Sequence, residues 1–98
     1  MHMLMTVEMD TEATNRGIKD GTLPKMMDAA LERLRPEAAY FTTHDGHRTA
    51  YIVFDIAEPA QMVQMAEPFF SGLSAKIDWS PVMNANDLRE GLSRLAKM

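Results

Sequence analysis

Cysteine is missing from the sequence, which excludes disulfide bonds, thiolate catalysis and cysteine-ligated metal centres. Long hydrophobic runs are missing too, and no segment approaches the roughly 18 consecutive apolar residues that a membrane-spanning helix needs. Basic residues are the minority charge, because ten lysines and arginines face fourteen aspartates and glutamates and the net charge is −4. No basic run stands out, so we expect neither a nucleic-acid partner nor a membrane partner.

Familiar cofactor and nucleophile motifs are also absent. The sequence has neither G-x-x-x-x-G-K nor G-x-G-x-x-G, and it has no G-x-S-x-G. We therefore predict no cofactor, and we assign no catalytic residue. The apolar start MHMLMTVEMD lacks a basic flank and a cleavage-like site, and Glu8 and Asp10 follow early, so no signal peptide is expected. These features favour a cytoplasmic protein.

The composition is that of a globular protein: 98 residues, 46% hydrophobic and 24% charged, which predicts a single domain over residues 1–98. A chain of this length buries only about two-thirds of its unfolded surface, so we expect further burial in a dimer. Ten methionines are interpreted as adaptable core residues. The alternative, a soft-metal site, would need methionines clustered with histidine or cysteine.

Four segments have the periodicity or composition of β-strands. Alternation is clearest in the first segment and in the last, where Ile77 and Trp79 alternate with polar residues. The two middle segments are rich in tyrosine, phenylalanine and β-branched residues. The predicted strands are 2–10, 38–44, 47–56 and 74–82.

Helices are predicted between and after these strands. Thr11 is a candidate cap for a first helical piece that ends near Asp20-Gly21, and a second piece begins near Thr22 and ends before Pro36. A last helix is capped by Asn84 or Asn86 and carries three leucines.

Another predicted helix opens at Glu58-Pro59, and Pro68 is expected to break or kink it. Phe69 and Phe70 then either form a mobile lid or close the end of the core. The element order is β-α-β-β-α-β with a terminal helix, which predicts an α+β, ferredoxin-like domain.

Asp45-Gly46 stands between the two middle strands and predicts a two-residue hairpin turn, because both residues accept positive φ. This register places His44 opposite His47 and Tyr40 opposite Tyr51. A zinc site needs three or four ligands, so the two histidines are interpreted as turn neighbours and no metal is predicted.

Right-handed crossovers then give a four-stranded antiparallel sheet in the order fourth, first, third, second, with both helix layers on one face. The opposite face is left uncovered, and it is half polar. A concave surface of this mixed kind resembles the lining of a ligand pocket. The candidate ligand-binding residues on this face are His2, Thr6, Glu8, Tyr40, Thr42, Tyr51, Asp55 and Asp78.

Each candidate group has two interpretations. His2 beside Asp55 is either a general base or an imidazole at a frayed terminus. Tyr40 and Tyr51 either orient a bound oxyanion or pack in an interface. The two roles are compatible, because a tyrosine can pack with its ring and bind a ligand with its hydroxyl group. Glu8 is expected to approach Lys76 at the rim of the sheet, where a salt bridge contributes little.

Several stretches resemble a family of short bacterial proteins of unknown function: MHMLMTVEM, IKDGTLPK, RPEAAYF, DGHRTAYIVFD, AEPFF and PVMNANDL. The resemblance spans Met1 to about Leu88, and it implies the dimeric α/β-barrel group of ferredoxin-like domains. In that group two sheets pack open face to open face and enclose cavities. Distant relatives include muconolactone isomerases, cofactor-free quinol monooxygenases and haem-degrading monooxygenases, so the fold by itself implies no activity.

Two functions follow from the residues and the resemblance together. The first is a homodimer that binds a small organic ligand between its helix-free sheet faces. The second is a cofactor-independent isomerase or monooxygenase acting on a small aromatic or lactone-like compound, with His2, Tyr40, Tyr51 and Asp55 lining the site. A haem-binding relative would need an axial histidine, and only His2 faces the expected cavity.

Overall fold

The computed structural model describes residues 1–98 and shows an α+β chain with four strands and four helices. The elements are β1 (His2–Glu8), α1 (Thr11–Asp20), α2 (Thr22–Leu34), β2 (Ala38–His44), β3 (His47–Asp55), α3 (Ala60–Leu73), β4 (Lys76–Pro81) and α4 (Ala85–Ala96). None of the four helices has the length and hydropathy that crossing a bilayer requires.

The four strands form one antiparallel sheet in the order β2-β3-β1-β4. Read from the other edge, this is the order predicted from the sequence. The arrangement is consistent with a ferredoxin-like domain. Because β1 and β3 are central, the N-terminal strand lies beside a strand from the middle of the chain.

The β2–β3 hairpin turns at Asp45 and Gly46, whose φ angles are 51° and 78°. Positive φ at both positions is the geometry that Asp-Gly turns favour between antiparallel strands. The predicted register is confirmed, since His44 pairs with His47 and Tyr40 with Tyr51. A shift of one residue would have moved every side chain of β2 to the other face of the sheet.

The core lies between the sheet and helices α1 to α3. Thirteen buried apolar residues form one cluster, and β1 and β3 supply alternate positions to it. Met3, Met5 and Met9 belong to this cluster, and four more methionines pack against it. The interpretation of methionine as core filler is therefore confirmed for these seven, whereas Met1, Met83 and Met98 are exposed. Trp79 lies 6.2 Å from Phe54, centroid to centroid, at the β4 side of the core.

Three local predictions are wrong. The N-cap of α1 is Asp10 and not Thr11, because the Asp10 carboxylate accepts a hydrogen bond from the Ala13 amide at 2.9 Å. Pro68 does not break α3, which continues to Leu73, and the packing of the next residue, Phe69, into the core accounts for this. The hairpin register puts Phe41 on the apolar side of the sheet, where the helices are expected to bury it, but on edge strand β2 it is 53% exposed.

Helix α4 stands apart from the rest of the domain. A capping box between Asn84 and Asp87 fixes its start, yet none of its residues is buried. The molecule is 57 Å long, and its radius of gyration is 15.8 Å. A compact chain of this length has a radius of gyration of about 13 Å, so α4 extends away from the core instead of folding onto it.

Candidate functional site

The sheet face opposite helices α1 to α3 is uncovered. Strand pairing places Asp78, Thr6, Tyr51 and Tyr40 in one row across it. Neighbouring strands lie about 4.8 Å apart, so this row spans roughly 14 Å. Tyr40 is 69% exposed and Tyr51 is half-buried, which agrees with the prediction that no helix covers the two phenols.

The rows on either side of the tyrosines differ in character. Leu4 and Val53 are paired in the next row and give the face an apolar strip. Glu8 lies in the row beyond the tyrosines, opposite Lys76 on β4 and Thr49 on β3, and Thr49 in turn pairs with Thr42. The predicted site residues therefore share one face, which is apolar in the middle and polar at both ends.

His2 lies at one polar end and is well anchored. Its Nδ1 is 2.8 Å from Oε1 and 3.1 Å from Oε2 of Glu37, and its side chain is 27% exposed. The backbone on either side is also held, because the Val82 amide donates to the His2 carbonyl and the Ile56 amide donates to the Met1 carbonyl. The interpretation of His2 as a frayed terminal residue is wrong.

Asp55 is the strand partner of His2, as the sequence predicted. Ligand-capable atoms of His2, Glu37 and Asp55 all lie within 4.8 Å of one another. On the other side of the imidazole, Nε2 is 3.5 Å from Asn84 Nδ2 and 3.9 Å from Asp87 Oδ2. The start of α4 thus forms a wall beside His2.

A recess of about 470 Å³ opens at this wall. It is lined by Met1, His2, Pro81, Val82, Met83 and Asp87. If the ring proton is on Nδ1, this N–H donates a hydrogen bond to Glu37. Nε2 is then left as a hydrogen-bond acceptor at the recess. The arrangement can therefore accept a proton from a bound molecule. His2, Glu37 and Asp55 are also the residues that could share a cation, although both carboxylates are exposed and already hydrogen-bonded or paired.

The N-terminal ammonium of Met1 donates a hydrogen bond to Asp55 Oδ1 at 3.0 Å. This bond, the positive charge of the ammonium and the nearby His2 lower the pKa of the Asp55 carboxyl below its ordinary value. A carboxyl with a lowered pKa contributes stability above the unfolded pKa of about 3.9, and that contribution is lost as the pH falls through the folded-state pKa.

The Asp55→Asn variant should therefore lack an acid-sensitive part of the wild-type stability. We expect the melting temperatures of wild type and variant to converge as the pH is lowered from about 5 to about 2. Thermal unfolding followed by circular dichroism across this range measures the difference. A constant gap at every pH would show that the Asp55 carboxylate does not titrate with a lowered pKa.

At the opposite end of the face, Glu8 is the strand partner of Lys76, as the sequence predicted. The Glu8 carboxylate makes no ion pair with Lys76 and instead lies 3.7 Å from His47 Nε2. His47 Nδ1 is 3.4 Å from the Thr11 hydroxyl, and His44 Nε2 is 3.3 Å from Asp45 Oδ2. The two hairpin histidines thus have separate partners, and the metal-capable cluster lies elsewhere.

A second hollow, which the sequence did not predict, lies between α2 and the β2–β3 hairpin. This groove of about 510 Å³ is lined by Met9, Leu23, Pro24, Met27, Phe41, Thr42, Arg48 and Thr49. Arg48 forms no ion pair there, because its Nη1 donates to Thr14 Oγ1 at 2.7 Å and to Asn15 Oδ1 at 3.0 Å. The groove exists because the helices leave Phe41 on the edge strand partly uncovered.

Sequence reasoning also missed three residues around His2: Glu37, Asn84 and Asp87. The hairpin register would have placed position 37 beside the end of β3, which is where His2 was expected. The Asn-x-x-Asp spacing of 84 and 87 was a signal for a capping box. No family model and no curated protein matches this chain, so the site is defined by its own geometry alone.

Proposed function

We propose that the chain forms a cytoplasmic homodimer that binds a small organic ligand between its helix-free sheet faces. One observation carries the proposal: a four-stranded sheet leaves an entire half-apolar face without any covering element. Leu4, Val53, Tyr51 and Tyr40 form the apolar part of that face. An uncovered apolar strip on a sheet face typically marks an interaction or ligand site.

The ligand in this proposal lies at the His2 end of the face. The recess of about 470 Å³ there falls within the range of about 300–1,000 Å³ that small-molecule sites occupy. It combines apolar walls from Val82 and Met83 with a few polar groups, which is the usual composition of such sites. Membership of the bacterial dimeric-barrel group that the sequence resembles is part of the same proposal.

A second candidate function is a cofactor-independent isomerase or monooxygenase acting on a small aromatic or lactone-like compound. The imidazole of His2 favours it, because the Glu37 carboxylate orients the ring as a general base requires. The discriminating measurement is turnover. Activity that is lost in His2→Gln, in a variant that keeps the dimer, would favour the enzyme over the binding protein.

Val53→Asp tests the homodimer. The new carboxylate would be buried without a partner in the sheet-to-sheet contact, so we expect the dimer dissociation constant to rise by about 100-fold or more. Sedimentation velocity over a range of concentrations measures the change. Native mass spectrometry of the purified protein should then show a retained small molecule in the wild type and none in the variant.

Val63→Asp is the matched control. Val63 is strongly exposed on α3, on the far side of the sheet, so the same substitution there should leave the dimer intact. A wild-type chain that sediments as a monomer at every concentration would overturn the proposal. Equal dissociation constants for Val53→Asp and the wild type would overturn it too.

A further inference from the structure

Helix α4 carries an apolar stripe that nothing in its own chain covers. Leu88, Leu92 and Leu95 follow the i, i+4, i+7 spacing of one helix face, and each is about half exposed or more. A second unpartnered apolar surface exists in the same molecule, the open face of the sheet. The two surfaces cannot meet within one chain as it stands, because α4 points away from the domain.

We propose that in the homodimer α4 packs at the β2 edge of the partner's open sheet face, beside the sheet-to-sheet contact, with its leucine stripe against the tyrosine pair. This inference rests on the homodimer proposed above and goes beyond it. Helix α4 of each subunit would then line the ligand site of the other subunit. Neither site would be complete in a single chain.

The surface area of the molecule agrees with this exchange. Its accessible surface is 6765 Å², whereas a compact monomer of 11.0 kDa exposes about 5,600 Å². The excess is roughly 1,100 Å², and a standard interface removes about 800 Å² from each partner. The chain therefore exposes as much additional surface as a stable dimer would cover.

The charges of the two surfaces do not oppose the contact. Of the carboxylates on the open face, Asp55 is paired with the N-terminal ammonium group and Glu8 lies beside His47. On α4, Arg94 is paired with Glu90 and Arg89 lies beside the leucine stripe, so the helix brings no net negative charge to the acidic face.

Gly91 adds a separate observation. It lies on the stripe, three residues after Leu88 and four before Leu95, and a Cβ atom at this position would meet nothing within 4 Å in its own chain. Glycine inside a helix costs about 1 kcal/mol relative to alanine, and nothing in the chain accounts for that cost. Close approach of a partner surface would account for it.

Cross-linking through introduced cysteines tests whether α4 packs on the partner subunit. The chain has no native cysteine, so only the introduced ones react. One variant carries Thr42→Cys on the open face, and another carries Ala96→Cys on the leucine side of α4. The two proteins are mixed and treated with a short bis-maleimide, so that any Thr42→Cys to Ala96→Cys product joins two different chains. We expect this product in high yield.

The controls use neighbouring positions. Ser93→Cys lies on the polar side of α4, and Val63→Cys lies on α3 away from the open face. Each should cross-link to Thr42→Cys at least about tenfold less than Ala96→Cys does, because a helix turns 100° per residue. Equal yields for Ala96→Cys and Ser93→Cys overturn the inference.

Sedimentation separates this inference from the homodimer itself. A dimer that gives no Thr42→Cys to Ala96→Cys product overturns the helix exchange and leaves the homodimer standing, whereas a monomer removes both. Gly91→Ala is a second measurement. If α4 packs closely on the partner, the added methyl group raises the dimer dissociation constant by about tenfold. An unchanged or lower constant contradicts the exchange.

Discussion

Replacing Phe69 by alanine is expected to lower the free energy of unfolding by about 3–5 kcal/mol. The Phe69 ring is fully buried, and it is among the largest side chains in the core. Truncation removes the transfer free energy of the ring from water and leaves a cavity in the core. Chemical denaturation with urea measures the loss.

Phe70 is the matched control for this prediction. It is the same residue type, one position later in the same helix, but it is 48% exposed. We expect Phe70→Ala to cost about 1 kcal/mol or less, since half of the ring already contacts water. Equal losses for the two variants would mean that Phe69 does not close the core as the structure indicates.

Gly17→Ala is expected to destabilise the chain by about 1–2 kcal/mol, even though alanine is the better helix former. A Cβ at position 17 would lie 2.9 Å from Leu23 Cβ and 3.3 Å from the Leu23 amide nitrogen. Neither atom is the flexible end of a side chain, so α1 and α2 would have to separate. The loss of close contact between these two helices then outweighs the gain in helix propensity.

Gly72→Ala is expected to stabilise the chain, whereas Gly17→Ala is expected to destabilise it. A Cβ at position 72 would meet only the Met26 side chain, at 3.6 Å from Cε and 3.7 Å from Cγ, which is ordinary van der Waals contact. We expect a stabilisation of about 0.5–1 kcal/mol from helix propensity alone. Thermal unfolding of both variants and the wild type shows whether each substitution raises or lowers the melting temperature. A stabilised Gly17→Ala would show that α1 and α2 are not in close contact there.

The sheet could be predicted from the sequence because its determinants are local. Asp45-Gly46 specifies a two-residue turn, and from that turn the pairing of Tyr40 with Tyr51 follows by counting. Alternation along β1 then separates Met3 and Met5 from Leu4 and Thr6. Each of these steps depends on neighbouring residues, and all of them agree with the structure.

The errors arise where tertiary packing outweighs a local preference. Proline normally ends a helix, but α3 continues through Pro68 because Phe69 and Leu73 beyond it are buried. Phe41 fits a core position by alternation, yet the helices do not reach far enough over edge strand β2 to bury it. Periodicity specifies which face a side chain occupies, and it does not specify how much of that face the helices cover.

The candidate site could be predicted only in part, for the same reason. His2 and Asp55 were predicted together because strand pairing relates them directly. Glu37 and Asp87 reach His2 from a loop and from the start of α4, whose positions depend on the packing of the whole chain. Residues brought together by loops leave no periodic signal in the sequence.

Oxidation of the methionines in the core reports transient unfolding of this chain. Oxidants convert methionine to a polar sulfoxide, and Met98 is 98% exposed, so its sulfur reacts while the chain remains folded. Met5 has no exposed surface, and its sulfur is reached only when the sheet separates from the helices. A protein without thiols thus still responds to peroxide, and oxidation at position 5 marks molecules that have transiently unfolded.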